Sequence, residues 1–218
     1  MAAVVAELAQ LAEEDRRVLV YGESGAGVGW LCRWAHQTSR RRLGPFVVVH
    51  LGAVSRAEHE SVVFGGGSNP GAIEQATGGT LILRCIEELA RSLRDRLLSA
   101  AADPRLVATS YSNGARAPMA THDAEFLSSF GSVVEVPPLR ARSEDIAELG
   151  KALWQRIAEE NARTPPPLTD EQLSALVRHD WPGNVRELRN VLEIAQLRWA
   201  TLGGMQPFHL GVPPGGSS

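Results

Sequence analysis

The residues best placed to do chemistry are the glycines of Gly22-Glu23-Ser24-Gly25-Ala26-Gly27-Val28-Gly29. They follow a short apolar run, Arg17–Tyr21 (RVLVY), and precede a stretch whose apolar residues recur at helical spacing. A strand, a glycine loop and a helix in that order can aim backbone N–H groups at an anion at the helix N-terminus. The working pattern for phosphate is G-x-x-x-x-G-K followed by Ser or Thr. Its lysine meets the outer phosphates and its hydroxyl helps to hold magnesium. Gly22 to Gly27 keep the spacing, but Val28 stands at the lysine position and Gly29 at the hydroxyl position. Val28 offers neither charge nor hydrogen bond, and Gly29 offers no side chain. Lys151 is the only lysine of the chain, so none lies within residues 1–150. Taken alone, the loop reads equally as an ordinary glycine turn.

Other candidate groups are sparse. Cys32 and Cys85 lack metal-ligand spacing and sit in apolar surroundings, which predicts buried free thiols in a reducing compartment. Arg40-Arg41-Arg42, with Arg33 and Ser39 nearby, is the one basic cluster, and its place at a helix end suits the helix dipole and solvation better than DNA. The net charge of −3 over 218 residues gives no basic field for nucleic acid. Met1-Ala2-Ala3-Val4-Val5 lacks the positive start of a secretory leader, and no apolar run approaches the length of a membrane span. The expected setting is cytoplasmic, with no DNA, membrane or metal partner.

The elements that must position the loop follow from periodicity. Residues 3–14 read as an amphipathic helix, with Val4, Leu8 and Leu11 on one stripe. Short apolar runs at 17–21, 46–50, 80–83, 105–109 and 133–136 read as strands, with helices around 30–41, 55–62, 86–101 and 122–129 between them. That alternation argues for a parallel sheet covered on both faces. Beyond Pro137-Pro138 the pattern is helical, over 143–161, 169–179 and 184–200, with Thr-Pro-Pro-Pro at 164–167 as a break. The expected organisation is an α/β domain over 1–138, a helical domain over 139–202, and a disordered tail over 203–218 rich in Gly, Pro and Ser.

Several blocks, in order, resemble the AAA+ domain of bacterial enhancer-binding proteins, the NtrC-like activators of sigma-54 RNA polymerase. VLVYGESGAG (18–27) is similar to that family's GESGTGK loop. GPFVVVHLGAVSRAEHESVVFG (44–65) resembles its PFVAVNCAAL and ESELFG segments. ATGGTLIL (76–83) resembles A-x-GGTLFL, which the family continues as Asp-Glu. VPPLRARSEDIAEL (136–149) resembles LPPLRERxEDIxxL, and WPGNVRELRNVLEIA (181–195) resembles the sensor II segment. The resemblance spans roughly residues 16–200. It implies a P-loop AAA+ three-layer sandwich with a central parallel sheet and a small C-terminal helical lid.

Measured against that family, the parts that carry chemistry are altered. The magnesium Asp and the water-orienting Glu would align with Arg84 and Cys85. Glu87 and Glu88 follow, further along the chain. The sensor I asparagine aligns with Tyr111, which reads as core packing. The segment that supplies arginine fingers aligns with His122–Phe130, and no arginine occurs between Arg116 and Arg140. Arg186 matches the sensor II arginine; Arg186 and Glu187 are expected to form ion pairs, while Trp181-Pro182-Gly183-Asn184 fixes a turn and caps a helix. The GAFTGA loop would follow Phe64; Gly65–Gly71 is short and lacks it. A β-hairpin insertion would precede the 105–109 strand; Asp103-Pro104 is all that stands there. No helix-turn-helix or receiver segment is read at either end. On these grounds Gly22, Gly25, Gly27, Val28, Gly29, Arg84, Cys85, Tyr111 and Arg186 are expected to form a vestigial nucleotide pocket. Val28, Trp30, Cys85 and Tyr111 are expected to fill it partly. The chain is expected to be a catalytically inactive pseudo-ATPase that binds no cofactor and regulates a protein partner the sequence does not name, without touching sigma-54. Two other readings stand beside this: a nucleotide sensor that does not hydrolyse, and an ATPase with unusual residues.

Overall fold

The computed structural model describes residues 1–100, 103–111 and 124–201. Two compact units are present. The first comprises Met1–Glu23 with Gly27–Val136; the second comprises Ser24–Ala26 with the chain from Pro137 onward.

The first unit begins with helix α1 (Ala2–Glu13), strand β1 (Val18–Gly22), helix α2 (Val28–Gln37) and strand β2 (Phe46–His50). Helix α3 (His59–Phe64), a hairpin of β3 (Gly65–Gly66) and β4 (Asn69–Pro70), and the short helix α4 (Ala72–Gln75) lead to β5 (Thr80–Arg84). Helix α5 (Arg94–Ala100), β6 (Arg105–Tyr111), α6 (Ala124–Ser128) and β7 (Val133–Val136) complete it. The main sheet has five strands in the order β2-β5-β6-β1-β7, and every pairing in it is parallel. The predicted mixed α/β architecture with a central parallel sheet is therefore present.

Burial follows position in the sheet. The middle residues of β1, β5 and β6 (Leu19, Ile82, Val107 and their neighbours) are buried, as continuous apolar runs covered on both faces should be. Edge strand β7 instead alternates exposed and buried residues. The cluster Leu19, Leu81, Leu83, Leu106 and Ala108 joins Val63, Leu89 and Leu97 from the connecting segments in one apolar core. Among the described residues, no helix is long and apolar enough to cross a membrane.

Two expected helices are revised by local backbone geometry. Helix α2 starts at Val28 rather than Trp30, because Gly27 adopts φ 105° and turns the chain straight into the helix. The single helix expected over 86–101 is broken. Cys85 holds a left-handed φ of 57°, 3-10 turns occupy Ile86–Glu88 and Arg91–Leu93, and extended residues Leu89 and Ala90 separate them before α5. The expected helix start at His122 and the tail from residue 203 lie outside the described residues.

The arginine cluster has work in the fold beyond solvation. Arg40 bonds Glu13 at 2.7 Å, and Arg41 reaches Asp15 at 2.6 Å as well as Asp103. Arg41 thus ties the ends of α1 and α2 to the start of β6, and these carboxylates hold its guanidinium pKa above the ordinary value.

The second unit contains α7 (Ser143–Glu160), α8 (Asp170–Arg178) and α9 (Asn184–Thr201). Leu139, Ile146, Trp154, Ile157, Leu176, Trp181, Leu188 and Leu192 form its core. Trp181 is fully buried, and its indole donates to the Leu176 carbonyl at 2.8 Å, which satisfies its one polar atom. Helix α8 opens with a complete capping box. Thr169 Oγ1 accepts from the Gln172 N–H, and the Thr169 N–H donates back to Gln172 Oε1. The two features predict different costs in urea denaturation followed by helical circular dichroism. Trp181→Ala is expected to lose about 3–5 kcal/mol of this unit's stability, and Thr169→Ala only about 1 kcal/mol. Equal losses would show that the Trp181 core does not hold the unit together.

Candidate nucleotide-loop site

In a parallel sheet all strands end on one edge, and ligand sites of open α/β sheets lie beyond that edge. Register decides which residues share it here. Gly22 lies opposite Tyr111 on β6 and Val136 on β7, Arg84 opposite Thr109, and His50 opposite Arg84. The aligned ends thus bring Gly22, Tyr111, Arg84 and His50 to one side of the sheet unit.

Gly22 is required by packing. A Cβ there would come within 2.8 Å of the Val136 carbonyl and 3.3 Å of Val28 Cγ2. Val28 is itself buried, at 4% exposure, so its side chain packs down on the strand end. At Gly27 and Gly29 a Cβ would meet no atom within 4 Å. The open, left-handed turn at Gly27 and the first N–H groups of α2 are the parts that suit an anion.

Arg84 and Tyr111 meet directly. The Arg84 guanidinium donates to the phenol oxygen, and its Cζ lies 6.0 Å from the ring centroid. Tyr111 is only half-buried, so the expectation that it is plain core packing is corrected: it is a hydrogen-bonded residue at the sheet edge. The expected filling of the site by Trp30 also fails, since that side chain is 62% exposed. Cys32 is buried as predicted, but Cys85 is only half-buried. Cys85 Sγ lies 3.3 Å from His50 Nε2, an exposed contact. Burial and the Glu87 carboxylate push the Cys85 thiol pKa up, while Arg84 and a hydrogen bond from the Gly52 backbone pull against them. Glu88 is engaged by Arg56 at 3.1 Å.

This strand end does not fit magnesium. A hard divalent cation takes oxygen donors, and here a guanidinium and a thiol stand in their place. Among the described residues, no group of three or more His, Cys, Asp or Glu side chains could hold a metal ion.

The middle of the loop is built into the helical unit. Asn184, fully buried at a left-handed φ of 53°, serves two backbone segments with one amide. Its Oδ1 accepts from the Leu139 N–H at 2.7 Å, and its Nδ2 donates to the Ser24 carbonyl at 3.1 Å. The Val185 N–H donates to the Gly25 carbonyl at 3.0 Å, and the buried Arg142 guanidinium donates to the Ala26 carbonyl at 2.9 Å. Burial lowers the Arg142 pKa, with Asp145 opposing. Arg186 donates to Ser24 Oγ at 3.1 Å, and Glu187 accepts from the Gly183 N–H at 2.8 Å. In place of the expected ion pairs, Arg186 contacts the loop and Glu187 caps the helix start. Gly25 has no room for a side chain: its φ is 82°, and a Cβ would lie 2.3 Å from the Gly183 carbonyl.

Sequence reasoning placed Gly25 and Arg186 in one site, and they do meet within the helical unit. It missed His50, Arg142 and Asn184. A signal existed for His50, because FVVVH ends in register with the Arg84 strand once the two are paired.

Comparison with known proteins follows from this architecture. The sequence pattern of the sigma-54 interaction domain matches residues 1–108, and that of the AAA+ ATPase lid domain matches residues 140–201. The DNA-binding transcriptional regulator NtrC of a Bradyrhizobium species is 35% identical over 84% of this chain and 44% of its own length. The alginate biosynthesis transcriptional regulatory protein AlgB of Pseudomonas aeruginosa is 33% identical over 90% of this chain and 50% of its own. The structure of Brucella abortus NtrX in complex with ATP superposes with a TM-score of 0.81 at 28% identity, over 91% of this chain and 49% of that one. The chain spans half or less of the length of these relatives.

These findings overturn one expectation. The altered loop led to a non-catalytic interaction module, or a sensor that binds without hydrolysis. The relatives are instead named transcription regulators, matched along most of this chain, and the NtrX fold is seen with ATP. The physical reason is that glycine-loop N–H groups and a helix N-terminus attract phosphate whether or not a lysine follows. Asn184→Ala should remove the partner of one buried and one part-buried backbone group, the Leu139 N–H and the Ser24 carbonyl. It is expected to lower the stability of the helical unit by about 2–4 kcal/mol in chemical denaturation, against under 1 kcal/mol for an exposed Ala substitution. An unchanged midpoint would show that the Asn184 bridge does not secure the loop. Taken together, the two matched segments and the relatives matched along most of this chain make it a homologue of the NtrC-like sigma-54 activators, with an AAA+ P-loop fold and an AAA+ lid.

Proposed function

We propose that the chain acts in transcription regulation as the AAA+ part of an NtrC-like sigma-54 activator, with Gly22–Gly29 holding the phosphates of an adenine nucleotide. The observation that carries this is the strand-loop-helix geometry itself. Left-handed Gly27 starts α2 at the carboxyl edge of the parallel sheet, in a chain whose relatives are transcription regulators. The NtrX structure with ATP supports an adenine nucleotide as the ligand class.

Without a lysine, phosphate affinity rests on backbone N–H groups and the helix N-terminus. No step is routed through magnesium, because Arg84 and Cys85 do not fit the ion. With those residues at the strand end, phosphate release from ATP is proposed to be slow, and Arg84→Asp combined with Cys85→Glu to raise it. The hairpin Gly65–Pro70 is short, so the protein contact through which regulation works is proposed to lie elsewhere on the chain.

Calorimetric titration with ATP tests the loop. Val28→Lys adds one charge-assisted contact and is expected to tighten binding about tenfold, or about 1.4 kcal/mol. Equal heats of zero in both proteins would overturn the assignment of the loop. A sigma-54-dependent promoter fusion tests the regulatory role; unchanged expression on removing the protein would overturn it.

A further inference from the structure

We propose that Cys85 and His50 form a reactive thiol–imidazole pair, a site of covalent modification by small disulfides. Sulfur and Nε2 lie 3.3 Å apart at an exposed position, within the distance for a hydrogen bond to sulfur. The Gly52 backbone also hydrogen-bonds the sulfur, and a Cβ on Gly52 would sit 3.6 Å from it. An imidazole and a peptide N–H therefore converge on one thiol. The backbone keeps it there. Cys85 turns left-handed immediately after β5, a conformation costly for a side chain with a Cβ, and His50 ends β2 opposite Arg84 in the ladder. The other cysteine provides an internal control: Cys32 is 2% exposed, and burial pushes its thiol up to about 12.

The chemistry balances without another reagent. His50 Nε2 takes the thiol proton as Cys85 Sγ attacks one sulfur of the disulfide. A new S–S bond forms to Cys85, the old S–S bond breaks, and the departing thiolate takes the proton from His50. The groups facing the pair are Arg84, Glu87 and Glu88 on the Cys85 side, with Tyr111 bonded to Arg84 and Arg56 bonded to Glu88. Burial and the two glutamates keep the thiol protonated at neutral pH, so a base is needed. The rate at neutral pH should therefore depend on His50 as the base that takes the thiol proton.

The test uses the intact chain with dithiobis-nitrobenzoate, and separately with glutathione disulfide, followed by peptide mass mapping. The expected result is one adduct, on Cys85 and not Cys32, lost in Cys85→Ser. His50→Gln should slow the reaction at neutral pH by about tenfold or more. His50 is exposed at a strand end, so this variant should fold, and an unchanged thermal midpoint checks that. The proposal is overturned by equal labelling of Cys32, by no adduct on Cys85, or by a His50→Gln variant that reacts at the unaltered chain's rate. The site stands independently of the nucleotide reading.

Discussion

The hydrogen-bond ladder of the parallel sheet fixes almost everything else at the site. Parallel strands share one direction, so their carboxyl ends meet on one edge, and a register shift of one residue would exchange faces along a whole strand. The observed register sets Gly22 against Tyr111 and Arg84 against both Thr109 and His50. The Arg84–Tyr111 contact and the Cys85–His50 pair both follow from that alignment. Neither pair is close in sequence, and neither would survive a slip. The buried apolar runs of β1, β5 and β6 resist such a slip, because moving them would put buried residues out of place on both sides.

Much of the fold was legible because its signals are periodic. The five apolar runs became the five strands, with boundaries displaced by a residue or two at most. The three late helical stretches became α7, α8 and α9, and the capping residues at Thr169 and Gln172 gave the start of α8 directly. What was illegible was local and conformational. Nothing in the letters around Cys85 announces a left-handed residue, so the helix expected from residue 86 is instead a pair of 3-10 turns. Glycine at position 27 could be seen to permit a turn, but not that the turn would start α2 two residues early. Tyr111 and Arg186 were misread for a related reason: their partners, Arg84 and Ser24, are distant in sequence and are identified only by three-dimensional register.

Site residues and whole-chain likeness give different kinds of information about function. Each altered position removes one contact: Val28 a cation at the phosphate, Arg84 and Cys85 the oxygen donors for a hard metal. Such losses bear on affinity and rate. They do not move the strand or the helix start, and the chain remains 33–35% identical to relatives named as transcription regulators.

Asn184 carries a consequence for cooperativity. Through its amide, and through Val185 and Arg142, the carbonyls of Ser24, Gly25 and Ala26 are bonded to the helical unit, while the residues on either side belong to the sheet. Units that open together in native-state fluctuations are set by contacts and not by chain order. Three residues in the midst of the sheet's own sequence therefore share the opening free energy of the helices. Loosening the start of α9 would release the bonds that hold the Ser24 and Gly25 carbonyls.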